Sequence, residues 1–137
     1  MRILLSIVLC LFINGTAFAQ KSGTIKITKK QTHVCVAALN GKWWDQTISK
    51  DSLLQIGHLE LLGDCADSAK ICQFEMAITT NGQTVLTTSN DKYFTKRMIE
   101  LINQSTQNSV MAIQYVKYKL PNGLVLPTNG FWIHVTN

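Results

Sequence analysis

The dipeptide Asn81-Gly82 lies between two runs of alternating side chains and constrains this chain more than any other pair in it. A tight two-residue hairpin turn needs positive φ at both central positions, and Asn and Gly tolerate it best. Upstream, Ile71 to Thr80 reads as a strand. Cys72, Phe74, Met76 and Ile78 fall on one face, and Gln73, Glu75, Ala77 and Thr79 on the other. Downstream, Thr84 to Thr88 returns as its partner. One face of such a hairpin is apolar, so the remaining sequence is read for what completes a sheet around it.

The last third of the chain supplies more of that sheet. Thr95 opens a helix from Lys96 to Gln104 with Met98, Ile99, Leu101 and Ile102 on a broad apolar face. A strand from Val110 to Leu120 follows. Met111, Ile113 and Tyr115 are expected on one face, and Ala112, Gln114, Val116 and Tyr118 on the other. Pro121-Asn122-Gly123 supplies turn chemistry. The chain resumes at Leu124 and closes with Phe131, Ile133 and Val135 on one face and His134 on the other. Earlier, Thr24 to Thr28 alternates weakly and reads as an edge strand with lysines. His33 to Leu39 reads as a clearer strand, with Val34, Val36 and Ala38 opposed to His33, Cys35 and Ala37, and ends at the Asn40-Gly41 turn. Ser49 is expected to cap one helical turn running to Leu54, with Asp51 near its positive end and Gly57 as the stop. His58 to Leu62 is extended, and Gly63 to Lys70 is a polar loop carrying Cys65. Roughly seven short strands and two short helices, with turn signals about every ten residues, predict an all-β antiparallel sandwich with minor helix.

The N-terminus reads as a targeting segment. Arg2 precedes an apolar run from Ile3 to Ile13, and Thr16-Ala17-Phe18-Ala19 ends in a small-residue cleavage pattern. Residues 1–19 are therefore expected to be a secretory signal peptide, and residues 20–137 one domain. The chain carries a formal net charge of +5, which falls by one without Arg2. Only Lys26, Lys29 and Lys30 cluster, so a nucleic-acid partner is not expected. No second apolar run is long enough to span a bilayer, which predicts a mature chain without membrane insertion, periplasmic or secreted.

Export places the cysteines in an oxidising compartment. Of the four in the sequence, Cys10 belongs to the signal, leaving Cys35, Cys65 and Cys72. One bridge at most can form within the chain. Cys65–Cys72, closing a small loop worth roughly 2–3 kcal/mol, is the expected pair, and a bridge from Cys35 to either of them is the alternative.

Catalytic and metal signals are thin. His33, His58 and His134 lack the spacing of a metal motif, and the cysteines lack the paired spacing of a zinc site, so no metal or cofactor is expected. His33 and Cys35 share a strand face, but nothing nearby reads as an orienting or oxyanion-stabilising group. Asp64 and Asp67 share a loop too sparse in oxygen ligands for calcium. Trp43-Trp44 is the most suggestive pair. Adjacent tryptophans on a regular strand point to opposite faces, so one or both lie at the surface, as recognition of a protein or a sugar ring requires, unless both fold over the edge of the core. Tyr115 and Tyr118, interleaved with Lys117 and Lys119, form either a second contact face or an ordinary solvated one.

Four stretches give the chain a family resemblance. Val36-Ala37-Ala38-Leu39-Asn40-Gly41-Lys42 leads into Thr47-Ile48-Ser49-Lys50-Asp51-Ser52-Leu53-Leu54. Phe74 to Thr80 carries the Asn81-Gly82 turn. Phe94-Thr95 opens a helix. Ser109 to Lys117 runs through Leu120-Pro121-Asn122-Gly123 to the terminal Ile133-His134-Val135. In this order they resemble the C-terminal periplasmic domain of the gliding-motility protein GldM and its relative PorM, of the type IX secretion system of Bacteroidetes. The resemblance covers about residues 34–136 and implies an immunoglobulin-like β-sandwich and a non-enzymatic role in protein–protein contact within the cell envelope. Trp43-Trp44 stands where the family is glycine-rich, the three cysteines depart from its pattern, and a cleavable signal is expected in place of its membrane anchor and preceding domains. A protein partner of the envelope or secreted space is thus the first expectation. A secreted carbohydrate-binding module using Trp43 and Trp44 is the second, and a small hydrolase the third.

Overall fold

A computed structural model describes residues 34–137. The signal peptide, the Thr24–Thr28 strand and His33 lie outside the described residues. Within them, the strands and helices follow the turn chemistry closely. β1 is Cys35–Ala38, β2 Gln46–Ser49, α1 Lys50–Ile56, β3 Glu60–Gly63, β4 Lys70–Thr80, β5 Gln83–Ser89, α2 Lys96–Gln104, β6 Val110–Lys119, β7 Val125–Pro127 and β8 Phe131–Thr136.

The hairpin of β4 and β5 pairs without interruption from Phe74↔Ser89 to Thr80↔Gln83. Asn81 and Gly82 sit at φ 51° and 76°, the left-handed pair that the turn demands. Both helices are capped as their sequences predict. The Ser49 hydroxyl accepts from the Ser52 N–H at 3.3 Å, and Gly57 ends α1 in the left-handed region at φ 62°. The Thr95 hydroxyl accepts from the Met98 N–H at 3.2 Å. The α2 carboxyl end is met by a cation from α1. Lys50 Nζ donates to the carbonyls of Ser105 at 2.7 Å and Asn103 at 3.2 Å, which satisfies groups that the helix leaves open.

The architecture is an all-β sandwich with two short helices. The main sheet runs β2-β8-β6-β4-β5, with β7 paired to the far end of β6, and a small β1–β3 ribbon forms a second sheet. One face of the main sheet carries Phe74, Met76, Ile78, Met111, Ile113, Phe131, Ile133 and Val135. The ribbon and helices meet it with Ala37, Leu39, Leu53, Met98, Leu101 and Ile102 in one continuous apolar core. Burying side chains of this size contributes roughly 1.5–3 kcal/mol each, so this face, rather than strand propensity, holds the layers together. Phe131, Ile133 and Val135 are all inward, as their alternation predicts.

Three departures from the sequence reading have physical causes. First, β2 joins β8 in parallel, so the sheet is not wholly antiparallel. The two strands are joined by no hairpin, and nothing in the local turn chemistry fixes their direction. Second, β6 bulges at Tyr115, which takes φ 50°. The extra residue shifts the alternation by one. Val116 and Tyr118 therefore turn to the face of Met111 and Ile113, and Tyr115 turns to solvent. Third, the register of β4 against β6 slips between Ile71 and Glu75. Ile71 is buried and Cys72, expected on the Phe74 face, is left half-buried.

That slip also bears on the disulfide. The expected Cys65–Cys72 bridge is replaced by Cys35–Cys65, whose Cα atoms are 5.7 Å apart, and Cys72 is free. Ile71 occupies the inward place beside the loop. The Cys72 thiol instead donates to the Lys117 carbonyl at 3.6 Å. Cys35 and Cys65 pack with Ala69 and Tyr118 in a small satellite core.

Candidate functional site

Among the described residues the face of the main sheet away from the core is open, and its composition follows from register. Residues directly opposite one another in antiparallel strands share a face. Leu86 of β5 lies opposite Ala77 of β4, Ala77 opposite Ala112 of β6, and Ala112 opposite Trp132 of β8. Four strands thus carry one apolar row. Its ends are large and exposed, Leu86 at 56% and Trp132 at 53%, and its middle is two alanines. At the usual interstrand spacing the two ends stand about 14 Å apart, with a shallow floor between them.

Polar rows flank the apolar one. On one side Thr84, Thr79, Val110, His134 and Thr47 follow one another across the sheet, with the Thr79 and Thr84 hydroxyls 2.7 Å apart. On the other side Thr88, Glu75 and Gln114 are in register, and the Gln114 amide donates to the Glu75 carboxylate at 3.4 Å. An apolar centre with a hydrogen-bonding rim is the composition of a protein-recognition patch.

The Trp43-Trp44 segment borders the same corner. The Trp132 backbone N–H donates to Asp45 Oδ1 at 2.9 Å, which ties the residue after Trp44 to the start of β8. Asn129 clamps the other side. Its side-chain oxygen accepts from the Ala37 N–H at 2.8 Å, and its amide nitrogen donates to the carbonyls of Ala37 at 3.1 Å and Trp43 at 3.2 Å. Trp43 and Trp44 are both about half exposed. Their rings stand 5.7 Å apart at 85°, an edge-to-face pair. All three tryptophans of the chain therefore present surface from segments that the Asp45 and Asn129 side chains join.

Of the remaining sequence candidates, Tyr115 is well exposed, at 68%, and sits on the β6 bulge. Tyr118 does not join it. It is buried beside the disulfide because the bulge turns it inward, so it shares no exposed surface with Tyr115. Trp132 was not among the residues that the sequence singled out. The signal was present: with Phe131, Ile133 and Val135 facing the core, alternation leaves Trp132 outside.

A cleft of about 580 Å³ opens elsewhere, between β3, the disulfide loop and the segment before α2. His58, Glu60, Lys70, Asp91, Lys92 and Tyr93 contribute to its wall. Most of its polar groups are engaged locally. His58 Nδ1 is 2.6 Å from the Ile56 carbonyl, Glu60 accepts from the Gly41 N–H, Asp91 accepts from the Tyr93 N–H at 2.7 Å, and Lys92 lies over the Tyr93 ring. Among the described residues no group of three metal-ligating side chains converges, and no helix is long and apolar enough to cross a membrane. No protein-family model matches the chain, and no curated protein matches it.

Proposed function

We propose that this chain is a non-enzymatic interaction module of the bacterial cell envelope, an exported domain similar to the C-terminal domain of GldM, which binds a protein partner through the open face of its main sheet. The observation that carries this reading is the row Leu86–Ala77–Ala112–Trp132, apolar, in register across four strands and exposed at both ends. Folding gains little from leaving a Trp and a Leu half in water, whereas aromatic anchors of this kind dominate binding at protein interfaces. The Cys35–Cys65 bridge supports an oxidising compartment and hence export, periplasmic or secreted.

A sugar-binding role for Trp43 and Trp44 is the second reading, favoured by their exposure. Their edge-to-face geometry weighs against it, because rings at 85° offer no shared platform for successive sugar units. Quantitative affinity purification from envelope extracts tests the first reading, comparing the wild-type chain with Trp132→Ala and with Trp43→Ala/Trp44→Ala. A discrete protein lost with Trp132→Ala supports it. Glycan-array binding that depends on Trp43 and Trp44, with no protein lost on Trp132→Ala, supports the second reading instead.

A further inference from the structure

The strand β5 is an edge. Among the described residues it pairs only with β4, at the end of the main sheet. Exposed edges invite pairing, and proteins blunt them with charge, proline, bulges or short length. β5 has none of these. Its seven residues, Gln-Thr-Val-Leu-Thr-Thr-Ser, include no charge and no proline, and its pairing with β4 is free of bulges. The opposite edge, β2, is only four residues long and runs directly into α1.

The turn decides which β5 groups are open. In a two-residue hairpin the pair next to the turn, Thr80↔Gln83, exchanges both main-chain hydrogen bonds, and bonded pairs then alternate along the ladder. Val85, Thr87 and Ser89 direct their N–H and C=O groups to β4. Thr84, Leu86 and Thr88 direct theirs outward.

We propose that two copies of this chain form a symmetric dimer by pairing β5 antiparallel with β5, the two-fold axis passing beside Leu86. In this register Leu86 faces Leu86 of the second copy and Thr84 faces Thr88. The outward groups then form on the order of six main-chain hydrogen bonds. Self-pairing requires a segment that matches its own reverse. Thr84-Val85-Leu86-Thr87-Thr88 does so: threonines flank both ends, two β-branched residues come next, and leucine is central. No charge meets its own sign across the axis. The exposed Leu86 is covered, and the row Trp132–Ala112–Ala77–Leu86 continues end to end into the same row of the second copy. This inference rests on the edge and not on the identity of any other partner.

Sedimentation velocity on the purified chain over a range of concentrations tests it. The expected species has twice the mass of the monomer. Leu86→Pro removes only an outward N–H and keeps the ladder to β4, so it should give a monomer whose thermal unfolding still shows a cooperative fold. Should Leu86→Pro fail to fold, the double variant Thr84→Lys/Thr88→Lys sets lysine opposite lysine and should weaken the dimer at least tenfold at low salt. Thr47→Lys on the opposite edge should leave the dimer intact. A wild-type chain that stays monomeric at all concentrations overturns the proposal. So does a dimer that persists in the β5 variants, or one lost on Thr47→Lys.

Discussion

Reduction of the Cys35–Cys65 bridge is a perturbation whose size follows from the structure. The bridge spans a sequence separation of 30 and ties β1 to the loop before β4. On the chain-entropy relation a loop of that length stabilises the folded state by about 3.5 kcal/mol. With a urea dependence typical of a small domain, the unfolding midpoint of the reduced chain should fall by roughly 1–3 M. Cys35→Ser and Cys65→Ser should each lose at least as much, because both positions are buried beside Tyr118 and a serine hydroxyl there meets an apolar wall. The double variant should cost little beyond either single one, since the cross-link can be lost only once. Cys72→Ser should shift stability by less than about 0.5 kcal/mol. Urea titrations with and without reductant measure all of these. A Cys72→Ser variant as damaged as Cys35→Ser, or a midpoint indifferent to reductant, refutes the reasoning. Alkylation before reduction gives an independent reading: Cys72 should be labelled, and Cys35 and Cys65 protected.

The remaining predictions concern the bulge, the clamp and a cap. Tyr115→Gly should stabilise the domain by up to about 1 kcal/mol, because glycine accepts φ 50° without strain, and Tyr115→Val should destabilise it; urea midpoints distinguish them. Asn129→Ala should cost about 1–3 kcal/mol, since it strips partners from both main-chain groups of Ala37, and it should free the Trp43 segment, seen as a change in tryptophan fluorescence. Thr95→Ala should cost about 1 kcal/mol of thermal stability through loss of the α2 cap, with Thr95→Ser close to wild type.

Much of this fold is legible in the sequence because local chemistry decides it. Asn81-Gly82 specifies its own turn. Ser49, Gly57 and Thr95 mark the ends of their helices, and Phe131, Ile133 and Val135 declare the inward face of β8. What is not legible is non-local. Simple alternation cannot count the extra residue at Tyr115, so it places Tyr115 with Met111 and leaves Tyr118 on the wrong face. Closeness in sequence favours the shorter Cys65–Cys72 disulfide, whereas the pairing of β1 with β3 brings Cys35 to Cys65. The parallel β2–β8 pair has no turn to announce it. The candidate site lies between these cases. Trp43 and Trp44 draw notice as neighbours in sequence, whereas Trp132 gains its meaning only when register sets it in one row with Ala112, Ala77 and Leu86.

Site-specific photocross-linking tests the interaction face most directly. A photoreactive phenylalanine analogue at position 132 should capture a discrete envelope protein in living cells, and the yield should fall when Ala112 is enlarged to lysine on the same row. The analogue at Ile99, exposed on α2 away from that face, should capture none. Equal capture from both positions, or no adduct from position 132 in the presence of a strong one from Ile99, contradicts a partner docked on the open sheet.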